Sequence, residues 1–130
     1  MTSIIAITVD CQDAEKLAAF WQQALGYAET RRWRDGHGLT YVELRGKSGI
    51  PLLFQPVGEG KRVKNRVHID IAPAELGQYA EIDRLTTLGA RVLTDDPAEH
   101  FVVLADPEGN EFCVLPQRDP DELVRDEHVQ

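Results

Sequence analysis

Cysteine is scarce in this chain, with 2 in 130 residues, Cys11 and Cys113. Their separation excludes a Cys-x-x-Cys metal knuckle, and a chain of this size has no need of a disulfide staple. A reducing, cytoplasmic setting is therefore expected. Positive charge is also in deficit: 14 Lys and Arg stand against 22 Asp and Glu, a formal net charge of −8. Nucleic acid and anionic membrane surfaces are excluded as partners, because binding phosphate requires clustered positive potential. The one basic cluster, Lys61, Arg62, Lys64 and Arg66, reads as a solvated connector. No apolar stretch approaches the roughly 20 residues needed to span a bilayer, and no secretory leader is visible. Nor does the chain contain a Ser-His-Asp order, a phosphate loop or a His-x-His metal pair.

What the chain does contain, it contains twice. Ile7-Thr8-Val9-Asp10 precedes an apolar-periodic helix closed by Leu25-Gly26, then Tyr41–Leu44 and Pro51–Pro56. Val67-His68-Ile69-Asp70 precedes a second helix closed by Leu88-Gly89, then Phe101–Leu104 and Glu111–Pro116. The first and the last two strands of each copy match at an offset of sixty residues, and the Leu-Gly pairs at sixty-three. A module of this size cannot close a core alone, so two copies are expected to pair and share a surface. With 42% apolar residues the chain suffices for one domain, over about 1–116. Module one is expected at about 3–57 and module two at about 65–116, followed by a polar, acidic tail, 117–130, that frays or docks.

Each module reads as strand, helix, strand, strand, strand. A first strand is expected over Ile4–Asp10, with Ile5, Ile7 and Val9 toward the core and Thr8 and Asp10 opposite. Asp13 is a helix N-cap; Leu17, Phe20, Trp21, Ala24 and Leu25 form the buried stripe, and Gly26 the stop. Tyr27–Thr40 reads as a short strand and a loop holding Arg31-Arg32-Trp33-Arg34, with turn chemistry at 35–38. Tyr41–Leu44 and Leu52–Gln55 form a hairpin. In module two, Val67–Ile71 splits into an apolar face and a face carrying His68 and Asp70. The helix is expected from about Ala74 to Leu88 through Leu76, Tyr79, Ile82 and Leu85. Asp106-Pro-Glu-Gly-Asn110 is a tight turn before the final strand.

Asp10-Cys11-Gln12-Asp13, Phe20-Trp21, Arg66-Val67-His68-Ile69-Asp70 and Asp106–Phe112, in that order over about residues 3–116, resemble the glyoxalase-like branch of the vicinal-oxygen-chelate superfamily. That superfamily includes glyoxalase I, bleomycin- and fosfomycin-resistance proteins and extradiol dioxygenases. The resemblance implies an α+β fold in which two tandem βαβββ modules form a curved, mostly antiparallel sheet around a concave cavity, with helices outside. It also implies, for metal-dependent members, ligands on the first and last strands of each module. Here those positions offer Thr8, or Ala6 if the register slips by two, and Leu53 in module one. Module two offers His68 and Cys113, with Glu111 two residues earlier on the same face.

A divalent ion needs three or four converging donors, and the carried-over positions supply only His68 clearly. No cofactor is therefore expected; a divalent metal, if present, would use His68 with Glu111 or Cys113. The expected function is metal-independent binding of a small molecule, with His68, Gln55, Asp70, Glu111, Cys113, Thr8, Trp33 and Tyr41 as candidate lining. The alternatives are a metal-dependent lyase or dioxygenase using His68, and an antibiotic-sequestering resistance protein. His68 is the candidate for proton transfer, its free pKa of about 6.5 suiting neutral pH. Asp70 reads either as a cap or as a group orienting His68, and Cys113 equally as a small buried residue. Trp33 has no periodic partner and reads as a lid or an interface anchor. A homodimer is expected, with Arg31, Arg32, Trp33 and the tail as interface elements, since exposed strand edges invite pairing.

Overall fold

The structure, a computed structural model, describes residues 1–118. It divides into two units, Met1–Arg62 and a second beginning at Val63. The expectations for the tail from 119 onward lie outside the described residues.

The first unit runs β1 (Ile7–Cys11), α1 (Ala14–Leu25), β2 (Glu29–Arg34), β3 (Thr40–Arg45) and β4 (Leu52–Pro56). Its sheet has the order β1-β4-β3-β2, with β1 parallel to β4 and the other pairs antiparallel. Helix α1 begins where Asp13, in an extended conformation, accepts the Lys16 N–H at 3.0 Å. It ends where Gly26 turns left-handed at φ 68° and donates its N–H to the Gln22 carbonyl at 2.8 Å. That backbone suits glycine, which carries no Cβ to clash. Between the caps Leu17, Phe20 and Trp21 are buried, and α1 lies over β3 and β4, where Val42, Leu44, Leu52 and Phe54 are also buried. Each such side chain contributes about 1.5–3 kcal/mol of transfer free energy. Phe20 and Trp21 meet edge to face, ring centres 5.2 Å apart.

The second unit repeats the order with β5 (Ile69–Ile71), α2 (Gln78–Leu88), β6 (Arg91–Thr94), β7 (Val102–Ala105) and β8 (Glu111–Val114). Its sheet is ordered β5-β8-β7-β6, again with only the first pair parallel. Ile82 and Leu85 of α2 are buried, as are Val102, Leu104, Phe112 and Val114. The expected α+β class and tandem βαβββ modules are what is found. Among the described residues no helix is long and apolar enough to cross a membrane.

Several local expectations need correction. Arg31–Arg34 is not a loop: it belongs to β2, paired along its length with β3. Its six residues are all exposed, so no burial alternation betrays it. β1 starts at Ile7 rather than Ile4, and the face expected to be core is not buried: Ile5 is 82% and Ile7 36% exposed. β1 is the outermost strand of its sheet, beside β4, while α1 packs on β3 and β4. β5 likewise begins at Ile69, leaving Val67 exposed. Helix α2 starts at Gln78 and not Ala74, and the N-cap is Gly77, with no side-chain capping bond. The carbonyls of Ala74 and Pro73 are taken up from the chain after β8, by Gln117 Nε2 at 2.9 Å and the Arg118 N–H at 3.0 Å, in place of a first helical turn. Leu76 and Tyr79, expected in the core, are consequently exposed.

The most consequential correction concerns register. Glu43 pairs with Leu53, and sixty residues later Val103 pairs with Cys113, so the last two strands keep the expected offset. Leu53, however, pairs with Thr8, whereas Cys113 pairs with Asp70. Relative to its neighbour, β5 has slid by two residues. The structural counterpart of Asp70 is Thr8, and that of His68 is Ala6.

Candidate functional site

Side chains alternate between the faces of a strand, so register determines which residues share the face turned away from each helix. In the second unit Asp70 and Cys113 sit side by side on that face, and His68 lies in the connection just ahead of β5, two residues before Asp70. His68 Nδ1 stands 3.3 Å from Asp70 Oδ1, and the donor atoms of His68, Asp70 and Cys113 all lie within 4.8 Å of one another. The cluster is graded in depth: the Cys113 residue is 5% exposed, the Asp70 side chain 21% and the His68 side chain 39%. Burial pushes the Cys113 thiol up to about 11, helped by the negative charge of Asp70 and a hydrogen bond with it, while the Lys64 ammonium acts in the opposite sense. A protonated thiol is a poor nucleophile, because the thiolate is the reactive form.

Glu111 is held by the chain ahead of β5. It is absent from the cluster: its Oε1 accepts the Asn65 N–H at 2.9 Å. Asn65 Nδ2 also donates to Asn110 Oδ1 at 3.2 Å, and Asn110 is in turn held by Asp106. The turn before β8 thus clasps the chain three residues ahead of His68. Asp70, expected as a cap or as a group orienting His68, stands with its Oδ1 3.3 Å from His68 Nδ1.

In the first unit the helix-free face carries Thr8, Gln55, Tyr41 and Trp33. Gln55 pairs with Asp10, and Tyr41 with Trp33, whose rings lie 6.0 Å apart at 31°. Burial, then the charge and hydrogen bond of Asp35, then the charge of Asp10, hold the Tyr41 hydroxyl above its usual range. One row along, Glu43 is buried and salt-bridged, with Arg45 Nε at 2.6 Å and Arg31 Nη1 at 3.9 Å. Glu43 was not among the sequence candidates, although its alternation with Val42 and Leu44 marks it as facing this side. Thr8 is exposed. All eight candidates therefore belong to the two units, four to each.

The glyoxalase-like domain model matches residues 6–115. The chain belongs to the glyoxalase-like domain family. No curated protein matches it. Among solved structures it resembles a variant of the fosfomycin resistance protein FosX from Listeria monocytogenes, with a TM-score of 0.71 and 16% identity over 88% of this chain and 92% of that one. The FosX variant was solved with Mn(II) and 1S,2S-dihydroxypropylphosphonic acid. Glyoxalase I from Leishmania major matches at a TM-score of 0.62 and 15% identity, over 88% of this chain and 86% of that one. A glyoxalase-related enzyme from Fulvimarina pelagi matches at 0.62 and 18%, over 88% of both chains. At these identities the likeness is one of fold, and fold alone does not assign chemistry.

The metal arrangement implied by the resemblance, with ligands from both modules, does not fit this glyoxalase-like chain. In the first module the counterparts of His68, Asp70 and Cys113 are Ala6, Thr8 and Leu53. One hydroxyl is all they offer. Among the described residues the one group of three converging donors, His68, Asp70 and Cys113, belongs to the second module.

Proposed function

We propose that this glyoxalase-like protein binds a small organic molecule, recognised without a metal, on the helix-free face of its first module. The observation that carries this reading is the makeup of the first module's face. Where a metal-binding module needs donors it has Ala6, Thr8 and Leu53, and beside them it presents hydrogen-bonding and aromatic groups: Asp10, Gln55, Tyr41 and Trp33. Such a mixture of a few polar groups with aromatic surface is what small-molecule sites use to orient a ligand. Trp33 is 42% exposed and stacked loosely on Tyr41, which leaves a ring face for a planar or apolar ligand part. On the second module His68 and Asp70 supply a donor and an acceptor. The net charge of −8 argues against nucleic acid as the ligand. Cys11 and Cys113 are both thiols, which suits a reducing cytoplasm.

The test is a thermal-shift screen of metabolites and antibiotics against protein stripped with a chelator, followed by tryptophan fluorescence on the hits. Trp21 is buried and serves as an internal constant, so a quench lost in Trp33→Phe locates the ligand on the first module's face. Ligands that stabilise the metal-free protein support the reading. Hits that all vanish on chelation would instead favour the second reading, a metal-dependent lyase or dioxygenase, which the convergence of His68, Asp70 and Cys113 makes specific.

A further inference from the structure

We propose that the ligand of the first module's face is a protonated amine carrying an aromatic ring, the ring lying against Trp33 and the ammonium reaching past Tyr41 toward Asp10. The inference rests on the ligand reading above and adds the charge and shape of what is bound.

Register sets four side chains in one row across the sheet. Asp10 is the partner of Gln55 and Trp33 that of Tyr41, while Tyr41 and Gln55 each lie one residue beyond the Val42–Phe54 pair, on the helix-free side. Neighbouring strands stand about 4.8 Å apart, so the row runs about 14 Å from Asp10 to Trp33. A bicyclic ring with a short arm fills that span once the side chains reach inward. The aromatic end is held in place: Asp35 accepts the N–H groups of His37 at 2.8 Å and Leu39 at 3.1 Å, and also bonds the Tyr41 hydroxyl. Trp33 keeps its exposed ring face beside Tyr41.

The sign of the ligand follows from which charges are already answered. Along the sheet from this row Glu43 partners Arg31, and Glu29 partners Arg45, two carboxylates against two guanidiniums. Arg45 Nε meets Glu43 at 2.6 Å, Arg31 Nη1 stands 3.9 Å from Glu43, and the Glu29 charge acts on Arg45 as well. That group is neutral as a whole. Asp10 is not so balanced: among the described residues no hydrogen bond or ion pair reaches its carboxylate, and none reaches the Gln55 carboxamide beside it. The Asp10 charge is felt at the Tyr41 hydroxyl, so a cation set between them has a carboxylate on one side and a ring on the other. The Gln55 carboxamide oxygen adds an acceptor for its N–H groups. A carboxylate in the same place would be repelled by Asp10, and the charge of Asp35 adds to that repulsion.

The experiment uses the full chain, stripped with a chelator and labelled with nitrogen-15, at neutral pH. Three probes share one ring: tryptamine, 3-ethylindole and indole-3-propionate, bearing an ammonium, an ethyl group and a carboxylate. The chain has 2 tryptophans, so two indole N–H resonances are expected, and Trp33→Phe assigns them. Tryptamine should shift the Trp33 resonance and leave that of Trp21 in place, binding about tenfold more tightly than 3-ethylindole through cation–π and ion-pair attraction together. Indole-3-propionate should bind most weakly. Asp10 is exposed, so Asp10→Asn keeps the fold; it should weaken tryptamine by about threefold, the scale of an exposed ion pair, and leave 3-ethylindole unchanged. Glu99→Gln, at an exposed carboxylate of the second unit, should change neither, which separates Asp10 from the pull of the net charge of −8. Equal binding of all three probes at Trp33, or equal losses in Asp10→Asn and Glu99→Gln, would overturn the proposal and leave the ligand reading standing. Tightest binding of indole-3-propionate would overturn it in favour of Arg31 as the anchor. A Trp33 resonance unmoved by tryptamine but moved by a hit from the metabolite screen would overturn the amine alone, and one unmoved by probes and hits together would overturn both.

Discussion

Replacing Asp106 with alanine is expected to destabilise the protein by about 2–3 kcal/mol, although the residue touches no candidate ligand position. Asp106 is 4% exposed, and its Oδ1 accepts the N–H groups of Glu108 at 2.9 Å and Asn110 at 3.0 Å. Its Oδ2 receives Asn110 Nδ2 at 3.0 Å. Hydrogen bonds to a charged acceptor are each worth about 1.5–3 kcal/mol net, so losing all three would exceed the figure. Glu108 and Asn110 are only half-buried, however, and water recovers part of the loss. Asp106→Asn keeps one acceptor oxygen and should cost about 1 kcal/mol by the same count. At about 2.1 cal/mol/K per residue, 130 residues give an unfolding entropy near 0.27 kcal/mol/K. Asp106→Ala should then lower Tm by roughly 7–11 °C and Asp106→Asn by roughly 4 °C. Urea unfolding followed by circular dichroism gives the free energies directly. An alanine variant within about 0.5 kcal/mol of the parent, the low end for a net hydrogen bond, would show that the turn closes without its carboxylate.

Three further outcomes are expected. His68→Ala should change unfolding free energy by less than about 1 kcal/mol, since the ring is half-exposed and faces away from the helix; a loss above about 2 kcal/mol in the same urea assay would reveal an obligatory buried bond. In a Cys11→Ser background, the rate of alkylation of Cys113 should rise about tenfold per pH unit from neutrality toward about 11, where an ordinary thiol levels off near 8.5. The sign follows from the raised value: the thiol stays protonated up to about 11, so the reactive fraction keeps growing, and a plateau near pH 9 would refute it. We also expect a homodimer at micromolar concentration, because β1, β2, β5 and β6 are outermost strands within their own sheets and exposed edges invite pairing. Light scattering that returned one chain's 14.6 kDa would refute it.

The modules, the caps of α1 and the hairpin of β3 with β4 were legible in the sequence because each is written locally. Asp13 and Gly26 sit where a helix needs an acceptor and a left-handed residue, and apolar alternation marks Val42, Leu44, Leu52 and Phe54. A short strand was expected within Tyr27–Thr40, but its extent through Arg31–Arg34 was not legible: Glu29–Arg34 is all exposed, and it is a strand because it pairs with the edge of β3, not because it buries a face. The start of α2 was misread for the converse reason. Ala74–Leu76 has helical composition, but bonds from Gln117 and Arg118 to the Ala74 and Pro73 carbonyls engage that stretch elsewhere. Among site residues, His68 and Cys113 followed from position. Their meeting with Asp70, and the diversion of Glu111 to Asn65, depend on which residue of β5 lies opposite which residue of β8. That pairing is non-local and cannot be read from either strand by itself.

The sliding of β5 bears on how a duplicated module acquires a new role. A shift by one residue would turn every side chain of the strand over, sending Ile69 and Ile71 into solvent and Asp70 against the helix. A shift by two keeps each residue on its face and changes only its neighbours. β5 is outermost in its sheet, so such a step breaks and remakes a single ladder. Even-numbered steps along a sheet margin are therefore the inexpensive mutations of geometry available to a descendant copy. One such step separates the two modules of this chain, Asp70 standing opposite Cys113 where Thr8 stands opposite Leu53.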